Sequence, residues 1–168
     1  TVEAARGIGI DIPHLCYEDR LPAGCACRLC MVEVKGSEKL VCSCSQSVAE
    51  GMQVRTSTER VRHARRVILE LIISNHPLDC MTCEKSGACL LEKYAYELGV
   101  KATRFSDFSV KPEPIRDNPF LVRDASKCIL CGRCISVCTT VQECNVLDYA
   151  KRGFAARVST AFEKPISE

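Results

Sequence analysis

The sequence predicts a small α+β protein made of three cysteine-bearing units in a row. Three observations carry that prediction. Short alternating apolar segments crowd residues 31–56, the pattern of a small sheet. An apolar stripe of helical period runs from residue 58 to 74. The 14 cysteines of this 168-residue chain fall into separate groups with different spacings, so the units are not repeats of one another.

The elements follow in order. Thr1 to Arg6 reads as a helix end closed by Gly7 and Gly9. The chain thus opens inside a helix on a residue other than Met, and the native N-terminus is expected upstream. Asp11 to Cys16 runs extended, and Arg20 to Cys30 is a loop rich in small residues. Strands are expected at Met31–Val34, Leu40–Cys44 and Met52–Thr56. Ser57 or Thr58 caps the long helix, whose apolar stripe is Val61, Ala64, Val67, Ile68, Leu71 and Ile72. Asn75 and Pro77 end it and leave His76 just beyond. A second helix is expected from Ala88 to Leu98, stopped by Gly99. Pro112, Pro114 and Pro119 mark residues 106–119 as linker. A cysteine-rich turn and helix follow at Cys128–Cys138. A hairpin then joins Val146–Tyr149 to Ala156–Ser159. The expected domains are 1–57, 58–105 and 123–168, with 106–122 between the last two.

Such cysteine density normally marks a secreted disulfide scaffold. Here the thiols cluster as C-x2-C pairs, which suit metal better than long-range bridges, and no stretch reads as a secretory leader. The longest apolar run, Val67–Ile73, contains Glu70 and is too short to span a bilayer. A reducing, cytoplasmic setting is therefore expected. The formal charge is +2, with no Trp, four Tyr and five Phe. Bound metal with deprotonated thiols would bring the charge near neutral or mildly acidic, so charge gives no argument for nucleic acid. A core this poor in aromatics suits a protein organised partly by its metal.

Cys16, Cys27, Cys30 and Cys44 form the first set. Their loop brings backbone N–H groups near the metal, as sulfide-rich clusters require. Cys25 and Cys42 are read as spare: Cys27 and Cys30 are the tighter pair, and Cys44 lies past a strand end. His76, Cys80, Cys83 and Cys89 form the second set, with Gly87 turning the backbone to deliver Cys89. Alone, this set suits a 4Fe–4S cluster or a tetrahedral zinc ion. Cys128, Cys131, Cys134 and Cys138 follow the ferredoxin spacing for 4Fe–4S clusters, with Thr139 in place of the usual Pro. Cys144 is taken as structural, as are His14 and His63.

Together these motifs resemble a known family. The matching stretches are Ile12-Pro13-His14-Leu15-Cys16-Tyr17, Cys27-Arg28-Leu29-Cys30-Met31-Val32-Glu33-Val34, His76-Pro77-Leu78-Asp79-Cys80 and Lys127-Cys128-Ile129-Leu130-Cys131-Gly132-Arg133-Cys134. They look like the N-terminal iron–sulfur part shared by three proteins. These are the large iron–sulfur subunit of NADH–quinone oxidoreductase, the catalytic subunit of NAD-linked FeFe-hydrogenases and the alpha subunit of NAD-linked formate dehydrogenase. The resemblance covers essentially the whole chain. It implies a 2Fe–2S cluster in a β-grasp domain, a His-ligated 4Fe–4S cluster in a small helical domain, and one or two further 4Fe–4S clusters in a ferredoxin-like domain. The ferredoxin run, with Ala150-Lys151-Arg152-Gly153-Phe154 after it, looks more like the hydrogenase and formate dehydrogenase branches.

In two-cluster ferredoxins the fourth Cys of such a run serves the neighbouring cluster. Cys128, Cys131 and Cys134 then lack one ligand, Cys138 lacks partners, and the native chain is expected to continue past Glu168 into a second run. Nothing in the chain resembles a hydrogen-activating or molybdopterin site, and no residue stands out for acid–base or nucleophilic chemistry. The expected function is an electron relay. Its partners would be flavin/NAD(H)-binding and small ferredoxin-like subunits, or a ferredoxin, with no nucleic acid and no membrane span. The alternatives are a free-standing multi-cluster electron carrier and a zinc-ribbon binding module. For the latter, Arg55, Arg60, Arg62, Arg65 and Arg66 would be the phosphate-facing stretch; otherwise they form a solvated helix face or a docking face.

Overall fold

The computed structural model describes residues 1–105 and 113–166. Helix α1 (Val2–Gly7) precedes a three-stranded antiparallel sheet of β1 (Met31–Val34), β2 (Val41–Cys42) and β3 (Val54–Arg55), in the order β2-β1-β3. The central strand β1 places Met31 opposite Cys42 and Glu33 opposite Arg55. Thr58 caps helix α2 (Glu59–Ile73) by accepting the Val61 N–H at 3.3 Å. Helix α3 (Leu90–Glu97) packs on it. A short hairpin, β4 (Ile115–Asn118) with β5 (Leu121–Arg123), occupies part of the proline-rich stretch expected to be linker. Residues 106–112 of that stretch lie outside the described residues. Helix α4 (Arg133–Thr140) and the hairpin β6 (Leu147–Ala150) with β7 (Arg157–Thr160) complete the chain.

Two apolar clusters hold these elements. Val2, Ala5, Ile12, Cys30 and Val32 fill the space between α1 and the sheet. Leu15, Cys16, Cys27, Leu29, Leu69, Ile73, Leu91 and Tyr94 fill the second, between the cysteine loop and α2 and α3. The chain carries 5% aromatic residues, and thiols contribute to both clusters.

The buried face of α2 differs from the expected stripe. It is Val61, Arg65, Leu69 and Ile73, one residue per turn, while Leu71 is exposed. Arg65 displaces the stripe because it has buried partners. It is 4% exposed and donates to the carbonyls of Leu29 at 3.0 Å and Met31 at 2.8 Å. It therefore belongs to the core and not to a basic outer face. Arg60, Arg62 and Arg66 stay exposed, tied to the carbonyls of Glu38, Ser57 and Leu98.

Candidate metal centres

All fourteen cysteines are free thiols. The first set comes from the loop between α1 and β1, with a fourth member just after β2. Ile12 and Leu15 are buried and anchor the strand-like approach to Cys16. His14 Nδ1 bonds the Ile12 carbonyl at 2.8 Å and its ring meets Tyr17 edge-on. The loop then adopts left-handed backbone at Cys25 and Arg28, neither of them glycine. Such conformations cost free energy and persist only where the surroundings impose them.

Around this loop, backbone N–H groups contact cysteine sulfurs. The Leu15 N–H faces Cys27 Sγ at 3.4 Å, and the Cys27 N–H faces Cys16 Sγ at 3.4 Å. The Cys16 thiol hydrogen-bonds Cys27, which pulls Cys27 down to about 5 and pushes Cys16 up. Burial, then neighbouring Cys30, push Cys44 up. Cys16, Cys27 and Cys30 are buried and Cys44 is half-buried. Cys42 Sγ instead lies 3.6 Å from Met31 Sδ, its partner across the sheet.

The second set surrounds a cavity of about 340 Å³ whose lining includes His76, Cys80, Cys83 and Cys89. The His76 N–H bonds the Ile73 carbonyl at 3.0 Å, which continues the end of α2. A turn at Cys80–Thr82 follows, and Gly87 at φ +75° bends the chain back so that Cys89 precedes α3. Burial holds the imidazole below its usual range, toward the neutral form a metal needs. Its Nδ1 is buried and has no hydrogen-bond partner among the described residues. An orphaned buried imidazole nitrogen on a residue that lines a cavity with three cysteines fits a metal ligand.

The third set runs from Cys128, just after the turn Ala125–Lys127, through Cys131 to Cys134 and Cys138 in α4. Cys128 Sγ accepts the Leu130 N–H at 3.4 Å. Burial pushes Cys128 and Cys134 up, and Cys131 adds to both, so these three thiols feel one another. Cys138 stands apart from them. Its Sγ lies 3.3 Å from Cys144 Sγ and accepts the Val146 N–H at 3.1 Å. Among the described residues, no three His, Cys, Asp or Glu side chains converge tightly enough for a single metal ion.

Each set falls within a different family-model match. A model described as a 2Fe-2S iron-sulfur cluster binding domain covers residues 2–59. One for the NADH-ubiquinone oxidoreductase-G iron-sulfur binding region covers 65–104, and one for a 4Fe-4S binding domain covers 121–140. A crystal structure of an NAD+-reducing NiFe-hydrogenase in the H2-reduced state superposes with a TM-score of 0.85 at 34% identity, over 95% of this chain and 67% of that one.

The chain belongs to the NADH–quinone oxidoreductase G-type iron–sulfur family, which includes NAD(P)-linked hydrogenase subunits.

It is 40% identical over 99% of its length to the NADP-reducing hydrogenase subunit HndD of Solidesulfovibrio fructosivorans. It is 35% identical over 97% to the NADH-ubiquinone oxidoreductase 75 kDa subunit of Reclinomonas americana. The chain spans 29% and 24% of those two relatives. Like the family, it has 2Fe–2S and 4Fe–4S binding regions. No helix among the described residues is long and apolar enough to cross a membrane.

One relation was not legible in the motifs. The three sets border a common core. Buried Cys16 and Cys27 belong to the same apolar cluster against which Cys89 and Cys131 pack. Cys16 and Cys131 also line one cavity of about 270 Å³, together with Gly132 and Tyr149. Only the pairing of β6 and the docking of α4 on it bring Tyr149 there.

Proposed function

We propose that the chain is the electron-relay portion of an NAD(P)-linked oxidoreductase, passing electrons between a flavin/NAD(H)-binding subunit and a catalytic site elsewhere. The observation that carries this is the shared core: thiols from all three sets meet one apolar cluster, so no intervening domain separates the centres. Cys16, Cys27, Cys30 and Cys44 would hold a 2Fe–2S cluster in a β-grasp-like unit. His76, Cys80, Cys83 and Cys89 would hold a 4Fe–4S cluster. Cys128, Cys131 and Cys134 would supply three ligands of another, with Cys138 directed to a neighbouring one. Bound clusters would supply one-electron redox steps at potentials set by ligand type, hydrogen bonds and burial.

The protein's residues do the rest. The N–H groups of Leu15, Cys27 and Leu130 point at ligand sulfurs and stabilise charge there. Apolar Leu15, Leu29 and Leu91 keep water from the space between the sets. The 40% identity to HndD over 99% of the chain supports a hydrogenase-subunit reading; the FeFe type and a cytoplasmic setting are further parts of this proposal. A formate dehydrogenase alpha subunit, a respiratory subunit and a free-standing carrier are the competing readings.

Iron and acid-labile sulfide analysis of the anaerobically purified native protein tests the relay reading. Both should be present, and Cys16→Ala, Cys80→Ala and Cys131→Ala should each remove a different electron paramagnetic resonance (EPR) signal. Tightly held zinc without sulfide would refute the reading.

A further inference from the structure

The first metal site contains more thiols than a cluster can use. Cys25 Sγ lies 3.7 Å from Cys44 Sγ, within contact of a proposed ligand sulfur. Cys25 is two residues before Cys27, on left-handed backbone at φ +49°. Its flank, Ala23-Gly24, is loosely packed: a Cβ at Gly24 would meet nothing within 4 Å. Cys25 is partly exposed, and its sulfur also lies 4.0 Å from the Ala23 carbonyl. Cys42 also interacts with Cys25 and Cys30, but its backbone is paired in β2 opposite Met31 and its sulfur lies 3.6 Å from Met31 Sδ.

From this we propose that Cys25 is a reserve ligand of the first site, able to take the iron coordination held by Cys44. The inference rests on the reading that Cys16, Cys27, Cys30 and Cys44 hold a 2Fe–2S cluster. The exchange is a substitution without electron transfer. Cys25 releases its thiol proton to water and its sulfur bonds the iron; the Cys44 sulfur leaves that iron and is protonated. The ligand count and net charge stay the same. A loose loop that already carries the incoming sulfur within contact of the outgoing one makes the exchange a small movement. Cys44 follows a two-residue edge strand and is half-buried, so of the four ligands it has the least support from the core.

The test uses alanine, because a serine oxygen can itself ligate iron. Four forms of the full chain are purified anaerobically: wild type, Cys25→Ala, Cys44→Ala and the double variant. Visible circular dichroism and EPR read the 2Fe–2S signal, and the 4Fe–4S signals report that each form has folded. Wild type and Cys25→Ala should share one 2Fe–2S spectrum. Cys44→Ala should keep the signal with shifted bands, and the double variant should lose it while its 4Fe–4S signals remain. Loss of the signal in Cys44→Ala alone overturns the proposal, as does its survival in the double variant, which would assign the role to Cys42. Absence of any 2Fe–2S signal from wild type would instead refute the reading beneath it.

Discussion

Arg65 carries a charge into the core on a helix that the apolar pattern assigned to hydrophobic residues. Its guanidinium satisfies the Leu29 and Met31 carbonyls, on either side of Cys30. Burial pulls its affinity for a proton down and the nearby Cys30 sulfur raises it. It therefore braces the ligand loop and sets positive charge beside the first site. Arg65→Met should cost about 1–3 kcal/mol for each carbonyl left without a donor. It should also lower the potential of the first cluster, because reduction adds negative charge that Arg65 no longer offsets. Denaturant melts and a redox titration check both effects, and no change in either would remove Arg65 from this role.

His76 is the second informative residue. An imidazole in place of a thiolate leaves a cluster less negative, so His76→Cys should lower the potential of the second cluster. A potential equal to that of wild type would count against ligation. The spacing before Cys80 already marks His76 in the sequence. Arg65 was not legible because a helical wheel places residues on a face but does not show which carbonyls await them.

At the scale of elements, the motif-bearing loops were readable and the faces were less so. The caps, the proline at the end of α2 and the hairpin β6–β7 followed local chemistry that sequence carries. The exposed Leu71, and Leu69 and Ile73 in its place, depended on how α2 rolls to accommodate Arg65. The β4–β5 hairpin was hidden because prolines around it signal turns without showing that short strands pair between them.

Gly132 shows an element-level constraint that is visible only in the fold. It caps α4 at φ +74°, and a Cβ there would press on Tyr149 Oη from β6. Tyr149 in turn donates to the Leu130 carbonyl at 3.2 Å, inside the ligand turn. Gly132→Ala should therefore cost about 1 kcal/mol from the backbone alone, with more from the displaced tyrosine. It should also weaken retention of the third cluster. Tyr149→Phe keeps the ring and should retain that cluster better than Gly132→Ala. Equal iron content in Gly132→Ala and wild type after dilution would show that the contact does not hold the ligand turn.

At the scale of the whole molecule, the three ligand sets surround one core. Spacing assigned ligands to sets, but the sets lie far apart in the chain and nothing local shows which of them meet. Packing supplies that information: Cys16 of the first set and Cys131 of the third line one cavity, and the end of α2 reaches the third unit through Asn75, which donates to the Phe154 carbonyl at 3.4 Å. A relay requires such proximity, whereas independent metal-binding modules would not.

EPR relaxation of the 2Fe–2S signal in the dithionite-reduced native protein tests that proximity most directly. A neighbouring paramagnetic 4Fe–4S cluster should make the 2Fe–2S signal relax faster in wild type than in the Cys128→Ala/Cys131→Ala double variant, which lacks the third cluster. Identical relaxation in the two forms, with the third cluster confirmed present and reduced in wild type, would contradict the account.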